Sequence, residues 1–225
     1  MTLDNRNVIK PLVPDLQNNV INYNANTESE YFVSFSGLVE NCCIGVVDIV
    51  DSTRISAGLD HASMAKYYSV FLNSMCTIAK NYGANVIKSI GDSILYSFPV
   101  SDKSENDFAF RNCLECGLSM IQERENINSD LSRNNLPSLS FRISSDYGNV
   151  MLAKSPHNTS IDIFGPSVNI CTKINGKAEK NTMVIGGDLY QIVKKFSGYF
   201  FREIEWYDVG LRNKYPIYVA QRAWR

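Results

Sequence analysis

The run CCIGVVDIVDST, Cys42 to Thr53, constrains this chain more than any other stretch. Ile44 to Val47, Ile49 and Val50 form a nearly continuous apolar segment bounded by turn residues, which reads as a buried strand. Asp48 interrupts it. A carboxylate inside such a strand is costly unless it is paired, protonated or bound to a metal. Any fold for this sequence must therefore end a core strand where Asp48 meets compensating charge. A second carboxylate, Asp51, follows three residues later, with Ser52 and Thr53 behind it.

The elements around this strand follow from periodicity. Asp60 is placed to cap a helix that runs to Tyr82 and ends at Gly83. Met64, Tyr68, Phe71, Leu72, Met75, Ile78 and Tyr82 recur at spacings of three and four on its expected inner face. ANVIKSIGDSILYSFP (84–99) reads as a β-hairpin around Gly91-Asp92. Ser104 then caps a second helix, with Phe110, Cys113, Leu114, Gly117, Leu118 and Ile121 inward. Alternation at Leu139, Phe141 and Ile143 predicts a strand over 138–146, turning at Asp146-Tyr147-Gly148. A third helix over 166–179, the strand MVIGG, a short helix at 187–194 and strands near 199–208 and 215–221 complete the chain. The order is an α+β, ferredoxin-like β-α-β-β-α-β core with an extra C-terminal helix and strands. Residues 1–38, rich in Asn and carrying Pro11 and Pro14, read as an N-terminal extension with one short ordered element around YFVSF (31–35). Residues 39–225 read as a single domain.

Composition removes several function classes. The net charge is −1, so the chain is not a general binder of nucleic acid or anionic membranes, and any phosphate binding must be local. No apolar run approaches the roughly 20 residues of a membrane span. The start MTLDNRNVIKPLVPDLQ lacks the pattern of a signal peptide, so a cytoplasmic, reducing setting is expected. Cys113 and Cys116 form a lone C-x-x-C in a helical pattern. With only His61 and His157 in the chain, they read as small buried helix residues rather than metal ligands. Neither a G-x-x-x-x-G-K-[ST] phosphate loop nor a G-x-G-x-x-G fingerprint occurs.

Chemistry concentrates on Asp48 and Asp92. In a ferredoxin-like sheet the first strand and the hairpin are neighbours, so these two carboxylates can converge. Bare, about 4 Å apart, they would repel by about 4 kcal/mol at an effective dielectric near 20. Two divalent cations remove that repulsion and create a site for polyphosphate.

Three motifs in order, VVDIVDST (46–53), IKSIGDSIL (87–95) and DIFGPSVN (162–169), resemble the catalytic domain of class III adenylate and guanylate cyclases. The resemblance runs from about residue 40 to the C-terminus. It implies that Asp48, Asp92 and the Ile49 carbonyl hold two Mg²⁺ or Mn²⁺ ions per active site, with the backbone of Val50, Asp51, Ser52 and Thr53 facing phosphates. It further implies base reading by Lys88 and Asp162, ribose orientation by Asn169, and transition-state charge from Lys173, where the family usually has arginine. Arg212 is the expected triphosphate-binding residue near the C-terminus. Lysine only donates and an ionised aspartate only accepts, so the base-reading pair complements adenine, with cytosine offering a similar edge. Asp51 stands where many relatives have glycine, and an extra carboxylate there weakens nucleotide binding unless it points away or meets a cation. The implied function is a homodimeric adenylate cyclase making cyclic AMP from ATP, with active sites shared across the interface. The alternatives are a CTP cyclase and a nucleotide-binding regulatory module without turnover.

Overall fold

The apolar run around Asp48 forms the second half of a long strand, β1 (Ser34–Ile49), at the centre of a mixed sheet. The computed structural model describes residues 33–100, 106–154, 161–207 and 214–223. A short helix, α1 (Ser52–Ser56), leads to α2 (His61–Asn81), whose first turn is capped by Asp60 accepting from the Ser63 N–H. The hairpin β2 (Asn85–Ile90) and β3 (Ser93–Pro99) turns through Gly91, at φ 61°, and Asp92. Then come α3 (Asn106–Gln122), α4 (Arg124–Arg133), β4 (Phe141–Lys154), β5 (Ile161–Phe164) and α5 (Pro166–Asn175). β6 (Met183–Gly186), α6 (Gly187–Val193), β7 (Tyr199–Tyr207) and β8 (Tyr215–Arg222) close the fold. The described strands lie in the order β2-β3-β1-β4-β6-β8-β7, with β5 paired to β4. Its β2-β3-β1-β4 portion is the ferredoxin-like arrangement the sequence implies.

Strand alternation explains where Asp48 points. Cys43, Val47 and Ile49 face the main core under α2, α3 and α4, among Tyr67, Phe71, Met75, Cys113 and Leu114. Cys42, Ile44 and Val46 face the opposite side, where they pack with Leu95, Ile163 and Cys171 beneath α5. Asp48 shares the second parity, so the pleat carries its carboxylate away from the main core.

Several expectations are corrected. The turn at Asp146-Tyr147-Gly148 is absent, because β4 continues to Lys154, paired with β1 along one side and with β5 beyond the expected turn. The expected inner face of α2 holds, with Phe71 and Met75 buried and Tyr68, Leu72, Ile78 and Tyr82 packed against the core. Tyr67 and Ala79 join it as fully buried positions that the periodicity does not include. Helix α4 was not anticipated, since only Ile127 and Leu131 of its ten residues are buried. β1 begins at Ser34, so residues 34–38 lie within a strand. The expected Ser104 cap falls outside the described residues. Cys113 and Cys116 are buried free thiols, as the helical reading implied.

Candidate functional site

The end of β1 answers the question Asp48 poses. The register sets Asp48 between Ser93 of β3 and Arg142 of β4. Ser93 Oγ donates to Asp48 Oδ1 at 2.6 Å, while Arg142 Nε and Nη2 donate to Oδ2 at 3.2 and 3.0 Å. The carboxylate side chain is only 17% exposed, so this charged fork compensates most of what burial would cost. Asp92 is half-buried at the hairpin turn, one residue before Ser93, which is the register partner of Asp48. Arg142, the charged partner of Asp48, is a member of this candidate site that sequence reasoning missed. Its position opposite Asp48 depends on pairing across 94 residues, which no local pattern reveals.

The hairpin also delivers Lys88. The β2–β3 register slips between Val86 and Lys88, and such a bulge re-aims the following side chain. Lys88 Nζ donates to Asp162 Oδ2 on β5 and lies 5.6 Å from the centroid of the Phe164 ring. Asp162 Oδ1 accepts from the Ile163 N–H, which fixes the carboxylate plane. Lys88, Ser93, Phe164, Val168 and Asn169 line a cavity of about 350 Å³. That volume falls in the range of small-ligand sites.

Asn169 and Lys173 stand one turn apart on α5. Gly165 sets the helix entry with φ 154°, and a Cβ there would come 2.9 Å from the Asn149 carbonyl. Pro166 follows at the first helical position. Buried Cys171 and Asn175 then anchor the helix: Cys171 Sγ donates to the Ile44 carbonyl, and Asn175 Nδ2 to the Val46 carbonyl at 3.1 Å. Both Asn169 and Lys173 are exposed, and Asn169 lines the cavity whereas Lys173 does not.

Ile49 is buried at the strand end, and the next residue, Val50, donates its N–H to the Ser140 carbonyl at 2.8 Å. Asp51 adopts the left-handed conformation, φ 60° and ψ 26°, ahead of Ser52 and Thr53 in α1. Its side chain makes no helix cap. Asp51 Oδ2 instead accepts from Lys180 Nζ at 3.0 Å and from Arg54 Nη2 at 3.5 Å. The Lys180 hydrogen bond holds this carboxyl below the usual carboxylate range. The extra charge of the sequence thus meets a cation. Arg212 lies outside the described residues.

A further acid, Asp146, is buried in β4. Burial pushes it up to about 7, against hydrogen bonds from Tyr215 Oη at 2.8 Å and the Leu189 N–H at 3.3 Å. It replaces the turn expected there with a polar tie between β4, α6 and β8.

The donor set at Asp48 and Asp92 is oxygen only, which suits hard cations such as Mg²⁺ and Mn²⁺. Among the described residues no group of three or more His, Cys, Asp or Glu side chains is arranged to hold a metal. Two carboxylates with a strand-end carbonyl fit the kind of site in which phosphate oxygens complete the coordination.

The family model for the adenylate and guanylate cyclase catalytic domain matches residues 36–220. No curated protein matches the sequence. Among solved structures, the adenylyl cyclase CyaB from P. aeruginosa is similar with a TM-score of 0.76 at 18% identity, over 84% of this chain and 97% of that one. The guanylate cyclase domain of RhGC from Catenaria anguillulae, solved in complex with GTP, gives 0.71 at 18% identity, over 81% and 97%. The dimeric guanylyl cyclase domain of RhoGC from Blastocladiella emersonii gives 0.69 at 18% identity, over 81% and 97%. At these identities the likeness speaks for the fold.

Proposed function

Because the chain belongs to the adenylate and guanylate cyclase catalytic-domain family, we propose that it converts ATP to 3′,5′-cyclic AMP and pyrophosphate. The observation that carries the choice of base is the Lys88–Asp162 pair beside the cavity. Adenine presents an acceptor at N1 beside an amino donor at N6, which a lysine donor and an aspartate acceptor complement. Guanine reverses that edge and leaves both groups facing the wrong partner, at about 1–3 kcal/mol for each buried unsatisfied group.

In the reaction the ribose 3′-oxygen forms a bond to the α-phosphorus as the bond to the β-phosphate bridge breaks. The 3′-hydroxyl gives up its proton to solvent water, and pyrophosphate leaves with the bonding pair. Asp48, Asp92 and the Ile49 carbonyl would hold two Mg²⁺ or Mn²⁺ ions, which supply a lower 3′-hydroxyl pKa and charge neutralisation on the triphosphate. Arg142, paired with Asp48 in the structure, offers a planar fork to phosphate oxygens once that carboxylate is engaged elsewhere. The backbone of Asp51 to Thr53 and the Arg212 side chain are proposed to meet the phosphates, whereas the Val50 N–H expected to join them is held by the Ser140 carbonyl. Asn169, at the cavity wall, orients the ribose. Lys173, one turn along α5, supplies positive charge to the transition state as a point charge rather than a fork. As in the family resemblance, the metal-holding and base-reading sets of one site are proposed to come from two copies of the chain, in the self-complementary arrangement of a two-fold dimer.

Incubating the purified protein with Mn²⁺ and each of ATP, GTP, CTP and UTP, then identifying products by mass, tests the proposal. Cyclic AMP as the main product is expected. Cyclic CMP or cyclic GMP as the main product would replace ATP as the substrate. Nucleotide binding without any cyclic product would make the chain a regulatory module, a reading favoured by the lysine at 173.

A further inference from the structure

The Asp51–Lys180 contact joins the turn after β1 to the loop after α5, across 129 residues of sequence. Both ends are tied to Ser140 and Phe141, at the start of β4. On one side the Val50 N–H donates to the Ser140 carbonyl. On the other, the Asn181 N–H donates to the Phe141 carbonyl at 2.7 Å, and the Asn181 side chain engages the Phe141 N–H and Ser140 Oγ. Asn181, like Asp51, has a positive φ, of 59°. The backbone on both sides of the ion pair is therefore set before the side chains meet. The left-handed backbone at Asp51 also fixes where its Cβ points, and the carboxylate lies toward Lys180 rather than capping α1.

We propose that Lys180 is a positioning residue for the phosphate turn: it draws the Asp51 carboxylate aside and neutralises it, so that a turn with an extra anion still accepts a nucleoside triphosphate. This rests on the cyclase reading above. Asp51 lies three residues from Asp48 and at the head of the segment proposed to face the phosphates, so an unpaired charge there opposes the ligand's own. Arg54, on the same element and 80% exposed, adds a longer contact of 3.5 Å to the same oxygen. Lys180, reaching from another element, makes the shorter one.

Two features set this role apart from an ordinary surface ion pair. Exposed pairs of this kind add little to stability, so removal leaves the thermal midpoint nearly unmoved while the ligand response changes. The effect also depends on Asp51 carrying charge. Asparagine tolerates the left-handed conformation, so Asp51→Asn removes the charge without new backbone strain.

The test is a cycle of four proteins, wild type, Lys180→Ala, Asp51→Asn and the double variant. Binding of Mn²⁺ with 3′-deoxy-ATP, which lacks the attacking hydroxyl, is measured by calorimetry. Lys180→Ala is expected to weaken binding about tenfold, and Asp51→Asn to tighten it about threefold. The double variant should bind within about twofold of Asp51→Asn alone, because nothing remains to be neutralised. Lys180→Arg should restore most of the affinity. With ATP as substrate, the loss in Lys180→Ala falls on KM rather than kcat. An equal loss from Lys180→Ala in the Asp51→Asn background would show direct phosphate contact and overturn the positioning role. No change in Lys180→Ala would overturn it as well. A wild-type protein that binds no nucleotide would sink the cyclase reading itself, whereas binding with additive effects in the cycle removes only this inference.

Discussion

Asp48 and Asp146 are both acids on the central strands, and their surroundings push them to different uses. Asp48 has a guanidinium fork and a hydroxyl at a strand end, within reach of solvent. Asp146 has two hydrogen-bond donors from neighbouring elements but, among the described residues, no cation paired with it, and it is nearly sealed from water. Burial raises its pKa to about 7, from an ordinary value of about 4. Between about pH 4 and pH 7 the folded protein therefore keeps a proton at Asp146 that the unfolded chain has released. Stability is fully helped below that window and declines as pH rises through it. Asp146→Asn, which keeps the shape and removes the titration, should flatten the decline seen in denaturant midpoints across that range. An unchanged slope would assign the pH dependence to other groups. The sequence already pointed to Asp48, Lys88 and Asp162, because each breaks a local pattern or sits in a recognisable motif. Arg142 and Lys180 were illegible for the opposite reason. Each is an ordinary cation whose meaning comes from a partner 94 or 129 residues away.

At the scale of elements, β1 organises the molecule by carrying two packed faces and the site at its end. Gly45 is where this strand lets a neighbour close in: Tyr96, opposite it on β3, is fully buried, and a Cβ at Gly45 would lie 2.2 Å from its ring carbons. Gly45→Ala should therefore cost about 1–3 kcal/mol, the usual range for overpacking, read as a lower denaturant midpoint with an unchanged slope. A midpoint equal to that of the wild type would mean that Tyr96 relocates freely. Elements with strong periodicity and clear punctuation were legible, as α2 with its Asp60 cap and the β2–β3 hairpin illustrate. The continuation of β4 past Asp146 was not. Asp, Tyr and Gly in succession carry turn chemistry locally, but pairing with β1, and further along with β5, supplies hydrogen bonds that a turn would forfeit. Helix α4 was hidden by its polarity, since tertiary packing of two side chains holds it.

On the scale of the whole molecule, the sheet and α5 assemble one set of groups at the end of β1 and another around the cavity beside Lys88. The central claim is that two copies of the chain combine these sets to cyclise ATP. The direct measurement mixes Asp48→Ala protein with Lys173→Ala protein and follows cyclic AMP formation with Mn²⁺. Each variant alone should be inactive, and the mixture should recover about a quarter of wild-type turnover, because random pairing leaves one intact site in half of the dimers and wild type has two per dimer. Mixed dimers that form yet produce no cyclic AMP, alongside an active wild type, would contradict the shared site.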